Sequence, residues 1–285
     1  MPVGLCLSDK SMGRYVSICI TRYAECNALL ARSLAAALAQ EGVGGEVLFF
    51  DQAPDGGFAE SGFSQQNLAL RIIDGPCGGL SDARNRGLAQ AQNDLVLFLD
   101  ADAIAEPDWA KKLAEVLDQG DVAVAGGQVV PGWPRKPPFF TGARVLRDQY
   151  SMLELGEETK PVDRVVGAGF GVDKGKLPTG FAFDEKFGRR NGRLFGGEET
   201  DFCNRARALG LQVLYVGGAR VTHLVDAERL TIGWVMRRMV YAGYGRAMQG
   251  GAPNPSAPPQ AIDWLLLPFY LPPYAVGWVW GKLAR

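Results

Sequence analysis

The stretch Leu95–Asp102, LVLFLDAD, decides the fold. Its first five residues are an uninterrupted apolar run, preceded by Asn93-Asp94 and followed at once by two carboxylates one residue apart, Asp100 and Asp102. An apolar run of that length with polar ends reads as a strand buried on both faces, which puts the acids at its carboxyl end. Open α/β sheets bind ligands at that end. Two carboxylates on a loop leaving a strand can share one oxygen-loving cation, Mg²⁺ or Mn²⁺, and such a cation can hold phosphate oxygens. The competing reading is an acidic loop ahead of a helix that starts at Pro107-Asp108.

Composition narrows the field. With 285 residues, 47% of them hydrophobic, the chain can bury one large core, or one domain plus an appendage. Thirty Lys and Arg against 31 Asp and Glu leave a formal net charge of -1, so no broad basic surface for nucleic acid exists. The five cysteines, at positions 6, 19, 26, 77 and 203, have neither metal-ligand spacing nor an even count. They read as small hydrophobes in a reducing compartment. Lys10 and Arg14 lead into a strand-like segment with no cleavable apolar region, so no signal peptide is expected.

Taken in order, residues 1–14 read as a leader and Tyr15–Ile20 as a strand, after which Thr21–Glu25 turns the chain. Asn27–Gln40 has helical spacing and meets Gly42, Gly44 and Gly45. Val47–Phe50 is a second strand ending at Asp51, an acid placed either to bind a nucleoside or to start the turn DQAPDGG. Arg71–Ile73 is a third strand. Next, in GPCGGLSDARNRGLAQA, Ser81 is a candidate N-cap and Arg84 and Arg86 fall in the first turns of a helix whose amides could face phosphate. Two strand–helix–strand half-units therefore precede Asp100, which argues a three-layer α/β domain with parallel strands. Further on, the pattern predicts a helix over Asp108–Gln119, a strand over Val122–Ala125 and an irregular, proline- and aromatic-rich loop over 126–143. It then predicts a helix over Arg144–Leu155 and a strand over Val165–Val172. Glu198, Glu199 and Asp201 fall in the first turn of a helix over Glu198–Leu209, behind Gly196-Gly197, and are read either as helix-dipole partners or as a catalytic cluster. Strands over Gln212–Val216 and Ala219–His223 follow, the second ending in the only histidine.

The ordered set VSICITRY, GGLSDARNRGLAQA, LFLDADAIAEPDW, GFAFDEKFG and GGEETDFCNRARALGLQVLYVGGARVTHL resembles the family 2 glycosyltransferases of the GT-A fold, over roughly Tyr15 to His223. The resemblance implies a three-layer sandwich with a mainly parallel central sheet. It implies a nucleotide-sugar donor, with a UDP-sugar favoured, a divalent Mn²⁺ or Mg²⁺, and transfer to an acceptor hydroxyl with inversion. On it, Thr21, Asp51, Arg84, Asp100 and Asp102 line the donor side, and Asp102 meets the metal, joined by His223 as in some members. Glu199 takes the place of the family's aspartate base, with Asp201 as the alternative, and Gly196, Gly197 and Glu198 belong to the acceptor side. The loop after Asp51 departs from the family, with Gln52 where a second acid is common.

Residues 1–225 thus read as the catalytic domain and 226–285 as a helical, aromatic and proline-rich appendage. Within the appendage, ERLTIGWVMRRMVYAGYGRAMQ mixes aromatic and arginine side chains, and a Gly/Pro linker leads to the nearly all-apolar Ala261–Trp280. Asp263 and three prolines there argue against a straight membrane-spanning helix and for a surface-bound segment or an oligomer interface. A lipid-linked or glycan acceptor at the cytoplasmic face of a membrane would suit it. The rival activities are a sugar-nucleotide nucleotidyltransferase, whose basic glycine-rich loop is missing after the first strand, and a noncatalytic sugar-nucleotide-binding or scaffold protein.

Overall fold

The computed structural model describes residues 14–22, 25–51, 67–75, 78–189, 193–250 and 260–285. The expected leader, the DQAPDGG turn beyond Asp51 and most of the Gly/Pro linker lie outside the described residues, as do Cys6 and Cys77.

The strands among the described residues are β1 (Arg14–Arg22), β2 (Val43–Asp51), β3 (Leu68–Asp74), β4 (Leu95–Asp100), β5 (Ala103–Ala105), β6 (Val122–Gly132), β7 (Thr159–Pro161), β8 (Gly169–Asp173) and β9 (Gln212–Leu224). They form one sheet in the order β3-β2-β1-β4-β8-β6-β9-β5, with β7 also beside β9. Strands β1, β2, β3, β4, β6 and β9 run one way and β5, β7 and β8 the other, so the sheet is mainly parallel. The LVLFL run behaves as an alternating pattern with two apolar faces. Leu95, Leu97 and Leu99 enter one core with Val16, Ile18, Leu30, Leu34 and Trp109. Val96 and Phe98 enter the other with Phe50, Phe170, Phe183 and Phe202.

Helices α1 (Asn27–Leu38) and α3 (Trp109–Leu117) cover the first face. On the second lie α2 (Leu80–Gln90) and α5 (Glu198–Ala208). The short α4 (Arg144–Arg147) joins α6 (Ile232–Gln249) and α7 (Ala261–Leu283) around a third core, built on Leu146, Tyr150, Trp234, Met239 and Leu266. Tyr150 stacks on Trp234 there, with ring centroids 5.3 Å apart.

Several elements differ from the sequence reading. Gly44 and Gly45 belong to β2, and Gly45, at φ +124°, lets that strand touch β1, since a Cβ would lie 2.1 Å from the Val16 carbonyl oxygen. The irregular loop expected from residue 126 begins later, because β6 continues to Gly132 alongside β9. The helix expected over Arg144–Leu155 stops after four residues, and Ser151 sits at φ +56°. The two strands expected over 212–223 are one continuous β9. The glycine-rich VVGAGFGV forms a strand only from Gly169, between β4 and β6. The cap of α2 is Gly79, whereas Ser81 turns its hydroxyl to the Phe187 carbonyl at 2.9 Å.

Glycines also fix the α6–α7 hairpin. A Cβ at Gly277 would lie 1.8 Å from the Val240 carbonyl oxygen, and one at Gly243 would lie 2.0 Å from that of Tyr274. Gly277→Ala must therefore push the helices apart, and urea denaturation is expected to show a loss of about 1–3 kcal/mol. An unchanged midpoint would mean the two helices do not pack at this distance.

Candidate active site

The carboxyl edge of the parallel strands gathers the first group of acids. Asp51 ends β2 in register with Arg22, whose Nη1 lies 3.4 Å from its Oδ2. On the other side of β1, Thr21 pairs with Asp100. Thr21, Asp51 and Asp100 thus stand side by side on three adjacent strands, where sheet geometry places a ligand.

Past Asp100 the chain makes one turn and enters β5, a three-residue strand paired antiparallel with β9 so that Ala103 faces His223. This pairing brings Asp102 to His223, with Oδ1 and Nε2 3.4 Å apart and both residues buried. The other ring nitrogen, Nδ1, lies 2.9 Å from the Tyr150 carbonyl oxygen, which can only accept, so Nδ1 carries a proton. In the neutral ring Nε2 then presents a lone pair beside the Asp102 carboxylate. Arg229 closes the group, with Nη2 3.2 Å from Asp102 Oδ2 and Nη1 3.3 Å from His223 Nε2. Burial alone would push the Asp102 carboxyl up, yet the His223 ring, in its protonated form, and the Arg229 guanidinium hold it well below the usual carboxylate range.

The donor chemistry fits a divalent cation. A carboxylate and an imidazole whose far nitrogen is fixed by a backbone carbonyl form a familiar ligand pair, better suited to Mn²⁺ than to an all-oxygen Mg²⁺ cage. No group of three or more His, Cys, Asp and Glu side chains gathers in metal-binding fashion among the described residues. Two such side chains would leave room for water and phosphate oxygens around a cation that handles a diphosphate.

Asp100 has a different environment. Its carboxyl is pushed up to about 6, by burial first and by the neighbouring Asp102 charge, against the pull of Arg84. Arg84 is itself enclosed, 2% exposed. Its Nη2 lies 3.4 Å from Asp100 Oδ1 and 3.1 Å from the Gly167 carbonyl oxygen, while Nη1 donates to Glu198 Oε1 at 2.7 Å. The guanidinium carbon sits 5.3–6.0 Å from the ring centres of Phe98, Phe170 and Phe183. The amides expected to face phosphate at this helix start are partly taken, Leu80 N–H by the Arg189 carbonyl and Gly78 N–H by Asp82.

Across the cleft, the first turn of α5 carries the second set of acids. Glu198 is spent on Arg84 through Oε1, and its buried Oε2 has no hydrogen-bond partner among the described residues. Glu199 is pushed up to about 7, by burial first and then by the Glu198 charge. Asp201 is tied to Arg205, with Oδ2 2.7 Å from Nε. Gly197, at φ +101°, caps α5 and sits against α6: a Cβ there would lie 2.2 Å from Gln249 Nε2, and one at Gly196 would lie 3.3 Å from Arg238 Nη2. Hence both glycines admit α6 side chains to the loop.

Arg229, Tyr150, Arg238 and Gln249 escaped the sequence reading. Arg238 donates to the Leu194 carbonyl at 2.7 Å and Gln249 to that of Gly197 at 2.9 Å, so α6 holds the loop that leads into Glu199. Burial, with repulsion from Arg189, lowers the guanidinium of Arg238 to about 10 and also lowers that of Arg229. The site thus sets buried arginines beside its acids. The only sequence cue was the arginine-rich tail, which by itself indicates a surface.

The comparisons with known proteins agree with this architecture. The model of the glycosyl transferase family 2 matches residues 17–161, and the chain belongs to that family. It is 30% identical over 171 residues to a glucosyl-dolichyl phosphate glucuronosyltransferase of Haloferax volcanii, covering 59% of this chain and 55% of the relative. It is 26% identical over 187 residues to the succinoglycan biosynthesis protein ExoM of Rhizobium meliloti, covering 61% and 54%. The chain therefore spans about half the length of these relatives. Among solved structures, a mannosyltransferase of Pyrobaculum calidifontis in complex with GDP-Man and Mn²⁺ superposes with a TM-score of 0.55 at 18% identity, over 95% of this chain and 75% of that one. A GalNAc-T7 structure with UDP, GalNAc and Mn²⁺ gives 0.51 at 16%, over 97% and 57%. Both show the GT-A fold.

Arg84 offers the sharpest structural test of the site. Arg84→Met leaves Glu198 buried without its partner, and breaking such a pair is expected to cost about 3–5 kcal/mol in chemical denaturation. Adding Glu198→Gln should restore much of the loss. A double variant as unstable as the single one would show that the ion pair is not what holds the two elements together.

Proposed function

We propose that the chain is an inverting glycosyltransferase that moves a sugar from a nucleotide-sugar, with a UDP-sugar favoured, to a hydroxyl of a lipid-linked or polysaccharide acceptor. The observation that carries this reading is the Arg84 bridge: it ties Asp100, neighbour of Asp102 and His223, to Glu198, neighbour of Glu199. One side of the cleft suits a diphosphate and the other a proton acceptor. The names of the two relatives, one a dolichyl phosphate enzyme and one a polysaccharide biosynthesis protein, support an acceptor of that class. Free cysteines among the described residues and a nucleotide donor support a place for the reaction at the cytoplasmic side of a membrane.

Asp51 and Thr21 are assigned to the nucleoside end of the donor, and Asp100 to its ribose or sugar. Arg84 serves the donor side indirectly, by orienting Asp100. Asp102 and His223 would hold a divalent cation, Mn²⁺ or Mg²⁺, which would supply positive charge for the diphosphate. Arg229 and Arg238 add fixed positive charge as the glycosidic C–O bond breaks. Glu199 takes the acceptor hydroxyl proton while the acceptor oxygen bonds to the anomeric carbon from the face opposite the departing diphosphate. A carboxyl pushed up to about 7 is well matched to that task. Asp201, already paired with Arg205, is the weaker candidate.

This assignment fixes a pH dependence. The base must be ionised, so transfer should fall as pH drops through about 7, following protonation of Glu199. Glu199→Gln should keep cation-dependent donor binding and lose transfer by about 10²–10⁴-fold. Normal transfer by Glu199→Gln together with loss in Asp201→Asn would move the base to Asp201. Asp102→Ala should abolish both transfer and donor hydrolysis, and retained hydrolysis would contradict the diphosphate site.

Arg229 bridges the same two groups that would hold the cation. Without donor, Arg229→Met should therefore bind Mn²⁺ more tightly, by about tenfold on the scale of one charge-assisted contact. Titration followed by electron paramagnetic resonance reads this without any turnover, and equal affinities would show that the guanidinium does not compete.

A further inference from the structure

Helix α7 turns a charge-free apolar face outward. Trp264, Leu265, Phe269, Val276, Val279 and Trp280 are between 39% and 67% exposed. The helix has a single acid, Asp263, which points inward, accepting from the Arg144 amide at 2.6 Å and the Gln260 amide at 2.7 Å. Exposed basic residues stand at both ends of the face. Lys282 and Arg285 close its carboxyl end. At the other end Arg135 and Lys136 precede Phe139, 71% exposed, whose 3₁₀ turn rests against Ile262. A face this large on a folded chain marks an interaction site, and its basic ends match an anionic partner.

The choice of partner follows from packing and from the prolines. Gly277 and Gly281, the small residues through which another helix could approach closely, are already filled by the backbone of α6 at Val240 and Tyr244. The outward face offers mainly bulky side chains, with tryptophans near both ends, the composition of a membrane interface. Pro268, Pro272 and Pro273 lie inside the helix. They remove the N–H groups that would serve the carbonyls of Trp264, Pro268 and Phe269. These three residues are exposed, so their carbonyls need donors that headgroup-level water supplies and hydrocarbon lacks. Among the described residues no helix is long and apolar enough to cross a membrane.

We propose that α7 docks this protein on an anionic lipid surface, lying in the plane of the interface with Lys282, Arg285, Arg135 and Lys136 against lipid phosphates. The inference deepens the lipid-linked acceptor of the proposed function and rests on it for its purpose. The face leads straight to the base. The Trp280 ring lies 4.5 Å from Tyr244 and 6.3 Å from Phe195, and Phe195 opens the Gly196–Glu199 loop. An acceptor anchored in the bilayer would therefore arrive on the Glu199 side of the cleft.

Flotation of the full chain with vesicles of phosphatidylcholine and phosphatidylglycerol (7:3) tests this without donor or acceptor. The protein should float with these vesicles and much less with pure phosphatidylcholine. Trp264→Glu/Phe269→Glu, which alters only exposed side chains, and Lys282→Glu/Arg285→Glu should each weaken binding about tenfold or more. Both variants should keep wild-type hydrolysis of a soluble nucleotide-sugar. Failure of the wild type to float, or flotation unchanged in the variants, overturns the proposal. So does a dimer in light scattering that Trp264→Glu/Phe269→Glu converts to monomer, since the face would then bind a second copy. Absence of donor hydrolysis in a wild type that floats would instead overturn the glycosyltransferase reading and leave the lipid contact standing.

Discussion

A buried guanidinium joins the two halves of this cleft. Arg84 comes from α2, and its bonds reach Asp100 at the end of β4, the Gly167 carbonyl, and Glu198 at the start of α5. Three phenylalanine rings enclose it. A charge so placed is costly to desolvate and is tolerable only while its partners remain in position. The folded core therefore imposes a geometric condition on the site: Asp100 and Glu198 must face the same cation. Because Asp102 and Glu199 are one or two residues from those anchors, the proposed diphosphate site and the proposed base depend on one structural constraint.

The same constraint divides the acids by role. Glu198 and Asp100 satisfy Arg84, while burial first, and then the Glu198 charge, raises Glu199 toward neutrality. Asp102 faces His223 and Arg229 and stays ionised. Carboxylates gathered at one site are thereby separated into one that faces positive charge and one whose environment favours holding a proton. Environment makes that division, since the residue types are nearly identical.

How legible all this was in the sequence depended on the range of the interaction. LVLFLDAD, the helices after β1 and β3, and the acidic start of α5 carry their signal within a few residues and match the structure closely. β5 did not, because three residues of AIA after a turn look like a loop until β9 pairs with them. That pairing unites Asp102 with His223 across more than a hundred residues of sequence. The helix expected over Arg144–Leu155 failed for a related reason. Tyr150 is drawn into the third core, where its hydroxyl donates to the Arg229 carbonyl and its own carbonyl accepts from His223 Nδ1, and regular helix geometry ends there. Arg229 itself sat in a tail whose arginines and aromatics indicated a surface, with nothing local to show that one of them turns back into the cleft.

That tail is thus structurally part of the site. The third core places Tyr150 behind His223 and starts α6 immediately after Arg229. Along α6, Arg238 and Gln249 grip the loop that leads into Glu199, while the opposite side of the helix receives the glycines of α7. A displacement of the hairpin would therefore move the groups behind both His223 and the loop that leads into Glu199. Small shifts at a packed interface are transmitted because interiors have few voids to absorb them. The α6–α7 hairpin consequently has one face that supports the proposed catalytic groups and another that meets the surroundings, with a layer of aromatic rings around Phe195 and Trp280 between them.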